Sequence, residues 1–255
     1  MKYLIFLDID GTVMSSKGFH KRTVEAIAKA REKGHMVFIN TGRANSTIYE
    51  HIRAAVNPDG IISSLGSLVR IGDETLYATY ISDEIIRYVM AFCERHSVRV
   101  TLGGENASVS YHGLFFLGKD YEVFSIEDMY NRFPNIKVAK FSFERQLTDE
   151  EVSELTGYFT VYNHKTYAEV TLIGNSKAVA MEMVRKKLGV DVSHVIAMGD
   201  SDNDAEMLEA AGISVVMGNA PDYMKEKADF VTLDCDEGGV GYAIEKLVLE
   251  KEDDE

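Results

Sequence analysis

Asp8 and Asp10 stand two residues apart in Asp8-Ile-Asp10-Gly11-Thr12, and a second acidic group follows far along the chain in Gly199-Asp200-Ser-Asp-Asn203-Asp204. Two carboxylates held ionised about 4 Å apart repel by roughly 4 kcal/mol at an effective dielectric near ~20, and a bound cation relieves that repulsion. Asp200 would supply a further oxygen donor, and an all-oxygen acidic site favours Mg2+ over zinc. Taken alone, the Asp8/Asp10 pair could equally cap the loop between a strand and a helix. Thr41-Gly42, Lys177 and Asn203 change that balance. Hydroxyl, backbone amide, ammonium and carboxamide are the donors a tetrahedral phosphate dianion needs around its oxygens.

These residues need elements that bring them together. Apolar runs without alternation recur at Tyr3 to Leu7, Met36 to Ile39, Val195 to Met198, Ile213 to Met217 and Phe230 to Leu233. Continuous hydrophobicity predicts strands buried on both faces, as in a parallel sheet covered by helices. Helical patterns lie between them: Thr23 to Lys33 with Gly34 as its stop, and Ser201 to Ala211 with Met207, Leu208 and Ala211 as its apolar face. Lys177 should open another helix, with Asn175 and Ser176 as cap candidates and Val179, Met183 and Val184 behind it. An ammonium and a helix N-terminus together favour an anion at that point. The fold class is therefore α/β, a Rossmann-like core with a parallel sheet, and the four polar clusters that follow strand ends, Asp8 to Thr12, Asn40 to Arg43, Gly199 to Asp204 and Gly218-Asn219, should share one rim.

Residues 82–174 read differently. Tyr167 to Ile173 alternates, which predicts a sheet with one exposed face, and Thr148-Asp-Glu-Glu151 is a capping box opening a helix up to Gly157. The expected division is 1–81 for the first half of the core, 82–174 for an inserted α+β cap domain, and 175–255 for the second half.

Composition narrows the classes. Among 255 residues there are 3 Pro, no Trp and a net charge of −14, part of it from an acidic tail at 250–255. This excludes collagen-like, disordered and disulfide-scaffold chains, and without a basic face nucleic acid is an unexpected partner. Cys93 and Cys235 have no metal-binding neighbourhood, and unpaired thiols fit a reducing cytosol. The first apolar run stops at Asp8, too short for a membrane span or signal segment, so a soluble, cytoplasmic protein with no membrane partner is expected. The oligomeric state stays open.

Asp8-x-Asp10-Gly-Thr, Thr41-Gly-Arg43, Lys177 and Gly199-Asp200-x-x-Asn203-Asp204 resemble, in order, the four motifs of the haloacid dehalogenase (HAD) superfamily. Their spacing, together with Met217-Gly-Asn-Ala220, Glu237-Gly-Gly-Val240 and the line Glu169-Val-x-x-x-Gly174-x-x-Lys177, is similar to its Cof-type sugar-phosphatase branch with a C2-type (C2B) cap. The resemblance implies that Asp8 is the nucleophile, forming an aspartyl-phosphate, and that Asp10 is the general acid and base. It implies Mg2+ held by Asp8, Asp10 through its backbone carbonyl, and Asp200, with Asp204 supporting from behind. Thr41, Gly42, Lys177 and Asn203 would contact the phosphoryl group. Two departures stand out: Leu65-Gly66-Ser67 where the family often has Asn-Gly-Ala, and Ala178 where Gly usually follows the lysine.

The reading is then an Mg2+-dependent phosphomonoesterase acting on a small phosphorylated metabolite such as a sugar phosphate. A phosphomutase is an alternative, and a non-catalytic phospho-acceptor or binding module another, although receiver domains are shorter and have no inserted lid. Arg43 could touch substrate or bridge carboxylates at the rim. Among the histidines, His112 and His164 merit watching as possible substrate contacts. Residues 82–174 carry 14 acids and 9 bases, which disfavours a polyanionic substrate and permits a monophosphate.

Overall fold

The computed structural model describes residues 2–113 and 121–250, so most of the acidic tail, 251–255, lies outside the described residues. Eight strands form one sheet in the spatial order Phe230–Val231, Ile213–Val216, Val195–Gly199, Leu4–Leu7, Met36–Asn40, Gly60–Ser63, Leu68–Ile71 and Glu74–Ala78. The first six are parallel, and the last two are joined on by antiparallel pairings, so that Leu68–Ile71 alone runs against the rest. All five apolar runs are strands of this sheet. Their continuity has the expected cause: Ile5 and Leu7 bury on one face with Ile27, Ile52 and Val240, while Leu4 and Phe6 bury on the other with Met181, Val184 and Met207.

The chain order reverses beside Leu4–Leu7, the first strand, which lies between Met36–Asn40 and Val195–Gly199. In an open parallel sheet, that crevice at the carboxyl ends is where ligands bind. Register makes the point concrete: Leu7 lies opposite both Met198 and Ile39, so the next residues, Asp8, Gly199 and Asn40, emerge at one level. Sequence reading did not find the edge hairpin of Leu68–Ile71 and Glu74–Ala78 or the small hairpin of Met14–Ser15 and Gly18–Phe19. Both are short, and the outer strand is largely exposed, so neither carries a strong apolar signal.

A second sheet has the order Tyr121–Val123, Ser108–Tyr111, Val100–Gly104, Val138–Phe143, Ala168–Leu172 and Phe159–Asn163. One face packs on helices Asp83–His96, Ile126–Arg132 and Asp149–Leu155 through Phe92, Phe141, Phe143 and Leu155. The capping box forms as expected: Thr148 accepts from the Glu151 amide while Glu151 accepts from the Thr148 amide. The expectation of a solvent-exposed second face is corrected. Thr101, Ser108, Ser110, Lys140, Ser142, Glu169 and Thr171 on that face are all buried. They alternate with apolar residues because the polar face covers the strand ends of the first sheet rather than water. Direct bonds tie the two together, from Ser46 Oγ to the Gly104 carbonyl at 2.9 Å, from Asn45 Nδ2 to the Glu105 carbonyl at 2.8 Å and between the hydroxyls of Ser67 and Thr171 at 2.8 Å. Among the described residues, no helix is long and apolar enough to cross a membrane.

Phe141 is fully buried edge-on against Phe159, whereas Phe124 is 72% exposed. Phe141→Ala should cost about 3–5 kcal/mol in urea unfolding and Phe124→Ala no more than about 0.5 kcal/mol; equal effects would contradict the placement of this core.

Candidate active site

Lys177 opens the helix Lys177–Leu188, capped by Ser176, whose hydroxyl accepts from the Val179 amide at 3.2 Å. Ala180, Met181 and Val184 form the buried face, while Val179 is exposed and Met183 half-buried, so of the three expected there only Val184 belongs to it. The Lys177 ammonium is 1% exposed and donates to Asp8 Oδ1 at 2.7 Å, Asn203 Oδ1 at 3.0 Å and Asp204 Oδ1 at 2.6 Å. A lysine has three N–H donors, and all three are used. Burial opposes its charge, but Asp204 and Asp8 outweigh burial and hold it protonated above the ordinary lysine range.

Asp200 follows the neighbouring strand and leans over Gly11. A Cβ on Gly11, whose φ is +80°, would lie 2.2 Å from Asp200 Oδ2, so glycine is required both by the turn and by this approach. Thr12 Oγ1 donates to Asp200 Oδ1 at 3.2 Å and Asn219 Nδ2 to its Oδ2 at 3.2 Å. Oxygen atoms of Asp8, Asp200 and Asp204 lie within 4.8 Å of one another. Asp204, however, already accepts from Lys177 through Oδ1 and from the Asp200 and Ser201 amides through Oδ2 at 3.0 and 3.1 Å. Asp204 is also fully buried and outside the cavity wall, whereas Asp8 and Asp200 line it, so these two are the pair open to a cation and Asp204 orients the loop. The donors are hard oxygens, which fits a divalent ion such as Mg2+. Burial raises the Asp8 carboxyl well above its ordinary value despite Lys177, and burial followed by the charge of Asp204 raises Asp200 to about 7. A cation would offset the same repulsion.

The Asp10 side chain turns away from this acidic group. It is 57% exposed, and Arg43 grips it with a two-pronged pair at 2.6 and 2.7 Å. The Asp10 carboxylate is thus no part of the cation cluster, which leaves its backbone carbonyl as the group to consider there. Thr41 is buried, and its hydroxyl accepts from the Arg43 amide at 3.1 Å. Ser64 and Leu65, both at positive φ, clasp the segment through bonds from their amides to the Arg43 and Thr41 carbonyls at 2.7 and 3.3 Å. Leu65 thus holds a left-handed conformation that Asn tolerates better, the one place where the departure from Asn-Gly-Ala has a backbone consequence.

Over this floor lies a cavity of about 540 Å³. Asp8, Asp10, Thr41, Gly42, Asp200 and Asn203 line it from below, and Thr101, Ser108, Lys140, Ser142, Tyr167 and Glu169 from above. Lys140, 3% exposed, pairs closely with Glu169 and also donates to the Gly42 carbonyl at 2.8 Å. Burial pushes the Glu169 carboxyl up, but Lys140 and then His164 overcome it and lower it to about 2. His164 stacks on Tyr167 with centroids 4.4 Å apart and stands 3.6 Å from Glu169.

The structure therefore brings Asp8, Lys177, Asp200, Asn203 and Asp204 together, with Thr41, Gly42, Asp10 and Arg43 beside them. His112 is the exception: it is exposed and absent from the cavity wall. Ser108 touches the cavity, and the strand Ser108–Tyr111 then runs on at about 3.3 Å per residue, carrying His112 away. Lys140 escaped sequence reading: it carries no local motif, although a lysine inside an apolar six-residue strand was a usable signal. Asn219, expected at the rim as the residue following a strand end, is there, donating to the Gly11 carbonyl at 2.8 Å.

The sequence profile of haloacid dehalogenase-like hydrolases matches residues 5–244, and the chain belongs to this superfamily, in its Cof-like branch. It is a hydrolase whose relatives are phosphatases. A 5-amino-6-(5-phospho-D-ribitylamino)uracil phosphatase of Bacillus subtilis, YcsE, is 29% identical over 256 residues, covering 96% of both chains. A phosphoglycolate phosphatase of Methanobrevibacter smithii is 27% identical over 252 residues, covering 96% of this chain and 98% of the other. The structure of BT4131, a HAD subclass IIB sugar phosphatase, superposes with a TM-score of 0.82 at 26% identity, covering 96% of this chain and 98% of that one.

The raised Asp200 carboxyl sets a pH dependence. Between about pH 4 and pH 7 the folded chain keeps a proton that the unfolded chain has lost, so stability falls as pH rises through that window. With a chelator present, the thermal midpoint should decline from about pH 5 to about pH 8, and Asp200→Asn should flatten the decline. A slope unchanged in that variant would show that Asp200 is not its source.

Proposed function

We propose that the protein is an Mg2+-dependent phosphomonoesterase that hydrolyses a small phosphorylated metabolite with a polyhydroxylated leaving group through an aspartyl-phosphate on Asp8. The observation that carries this is the placing of a buried Lys177 ammonium and the Asp200 carboxylate on either side of Asp8 at the rim of one sheet. In this reading 1–81 and 175–255 form the catalytic core, 82–174 is the cap, and the enzyme works in the cytoplasm.

Asp8 attacks phosphorus in line as the bond to the leaving oxygen breaks, and Asp10 supplies the proton that oxygen needs. Because Arg43 occupies both Asp10 oxygens, the acid role requires that pair to loosen when ester enters. Asp10 then takes a proton from water attacking the acyl-phosphate, and orthophosphate leaves with Asp8 restored. Thr41, Gly42 and Asn203 bind the phosphoryl oxygens, and Lys177 joins them by exchanging one of its three present acceptors for a phosphoryl oxygen, since this chemistry depends mainly on positioning and neutralisation. Mg2+, held by Asp8, the Asp10 carbonyl and Asp200, would supply the charge that lets one dianion approach several carboxylates. The substrate class follows from the roof: Thr101, Ser108 and Ser142 offer hydroxyls, while Lys140, Lys177 and Arg43 are each already paired with a carboxylate. That supports an uncharged, hydroxyl-rich leaving group, as in the sugar and ribityl phosphates of the relatives, over an acidic one such as phosphoglycolate.

Turnover of 4-nitrophenyl phosphate should require divalent cation and be abolished by EDTA, with orthophosphate released stoichiometrically. Asp8→Asn should lower kcat by at least about 10³-fold with the fold intact. Asp10→Asn should cost about 10²–10⁴-fold with an alkyl or sugar ester and less with 4-nitrophenyl phosphate, whose leaving group needs no proton. Equal losses on both esters would contradict the acid role.

A further inference from the structure

We propose that the buried Lys140–Glu169 pair is a positioning device by which the second sheet sets the phosphoryl-binding groups, Lys140 through the Thr41–Arg43 loop and Glu169 through the Asn203 carboxamide. Lys140 lies on Val138–Phe143 and Glu169 on the adjacent antiparallel strand Ala168–Leu172, where Ser142 faces Glu169, so both side chains fall on the polar face. Both residues are buried, at 3% and 7% exposure.

Two chains of bonds lead from this pair to the floor. Lys140 Nζ donates to the Gly42 carbonyl at 2.8 Å, and the N–H of that same peptide unit, on Arg43, donates to Thr41 Oγ1 at 3.1 Å. Hydrogen bonds in series polarise one another, so the ammonium strengthens the bond that fixes the Thr41 oxygen as an acceptor. The Thr41 hydroxyl proton is then free to point into the cavity. On the other side, Asn203 Nδ2 donates to Glu169 Oε2 at 3.3 Å, while Asn203 Oδ1 accepts from Lys177 at 3.0 Å and from Ser201 Oγ at 3.1 Å. Those partners admit only one amide orientation. Packing leaves little slack, since a Cβ on Gly42 would sit 3.0 Å from Glu169 Oε2 and 3.2 Å from Asn203 Nδ2. A buried ion pair is a poor source of stability by itself, because desolvation consumes most of the attraction. Its value here is directional: one pair orients two groups that follow the two strands on either side of Leu4–Leu7, far apart in the sequence.

The inference rests on the phosphoryl-binding role given above to Thr41, Gly42 and Asn203, and one experiment separates the two. Lys140→Met, Glu169→Gln and the double variant are compared with the wild type for kcat and KM on 4-nitrophenyl phosphate and on a hexose phosphate. Orthophosphate affinity is measured by calorimetry with Mg2+, and thermal unfolding gives the folded fraction. Each single variant should lose about 10-fold or more in kcat/KM by the same factor on both esters, and orthophosphate should bind about 10-fold more weakly. The double variant should lose less than the product of the single losses. If a single variant fails to fold, the double variant, which leaves no lone buried charge, is decisive: weakened orthophosphate binding in a folded protein supports the inference, and unchanged binding overturns it. A loss confined to the hexose ester, with orthophosphate affinity intact, would mean that the pair touches the leaving group instead. Wild-type protein that neither binds orthophosphate nor turns over either ester would refute the phosphomonoesterase reading itself.

Discussion

The structure depends on the three bonds made by one buried ammonium. Lys177 joins Asp8, Asn203 and Asp204, which enter from the ends of two neighbouring strands, and it does so from the first turn of a third element. Helix physics argues against that placement, because the N-terminal end of a helix is already partly positive and disfavours a cation. The carboxylates reverse the preference. A local rule broken at a point where several elements meet is the pattern expected of a functional centre rather than of a framework.

Much of this was legible because the first sheet is covered on both sides. Burial of both Leu4/Phe6 and Ile5/Leu7 demands an unbroken apolar run, and each such run ends in a polar residue where the strand leaves the core. The rim could therefore be read from the letters after each run, and Asp8, Thr41, Asp200 and Asn203 were found that way. Lys177 was found through its cap and through the resemblance, not through its surroundings.

The roof was harder. Period-2 alternation says that a strand has two unlike faces, and it cannot say whether the polar one meets water or another part of the chain. Glu169 looked like a surface residue by that measure and Lys140 drew no reading at all, yet the strand holding Lys140 is buried throughout. His112 failed for a related reason: a strand that touches the cavity at Ser108 need not do so four residues on. The direction of Asp10 also escaped the sequence, because the Arg43 pair that turns it outward joins residues 33 apart.

The polar face of the second sheet has a consequence for motion. Where it meets the strand ends, the contact runs through hydroxyls, carbonyls, the carboxamides of Asn45 and Asn203, and charged side chains. Prising such a seam apart would wet groups that water solvates well and uncover little hydrocarbon, so the heat capacity of opening would be small. A greasy seam of equal size would tighten on warming from the cold; this one would keep nearly the same enthalpy and entropy of parting from cold to warm.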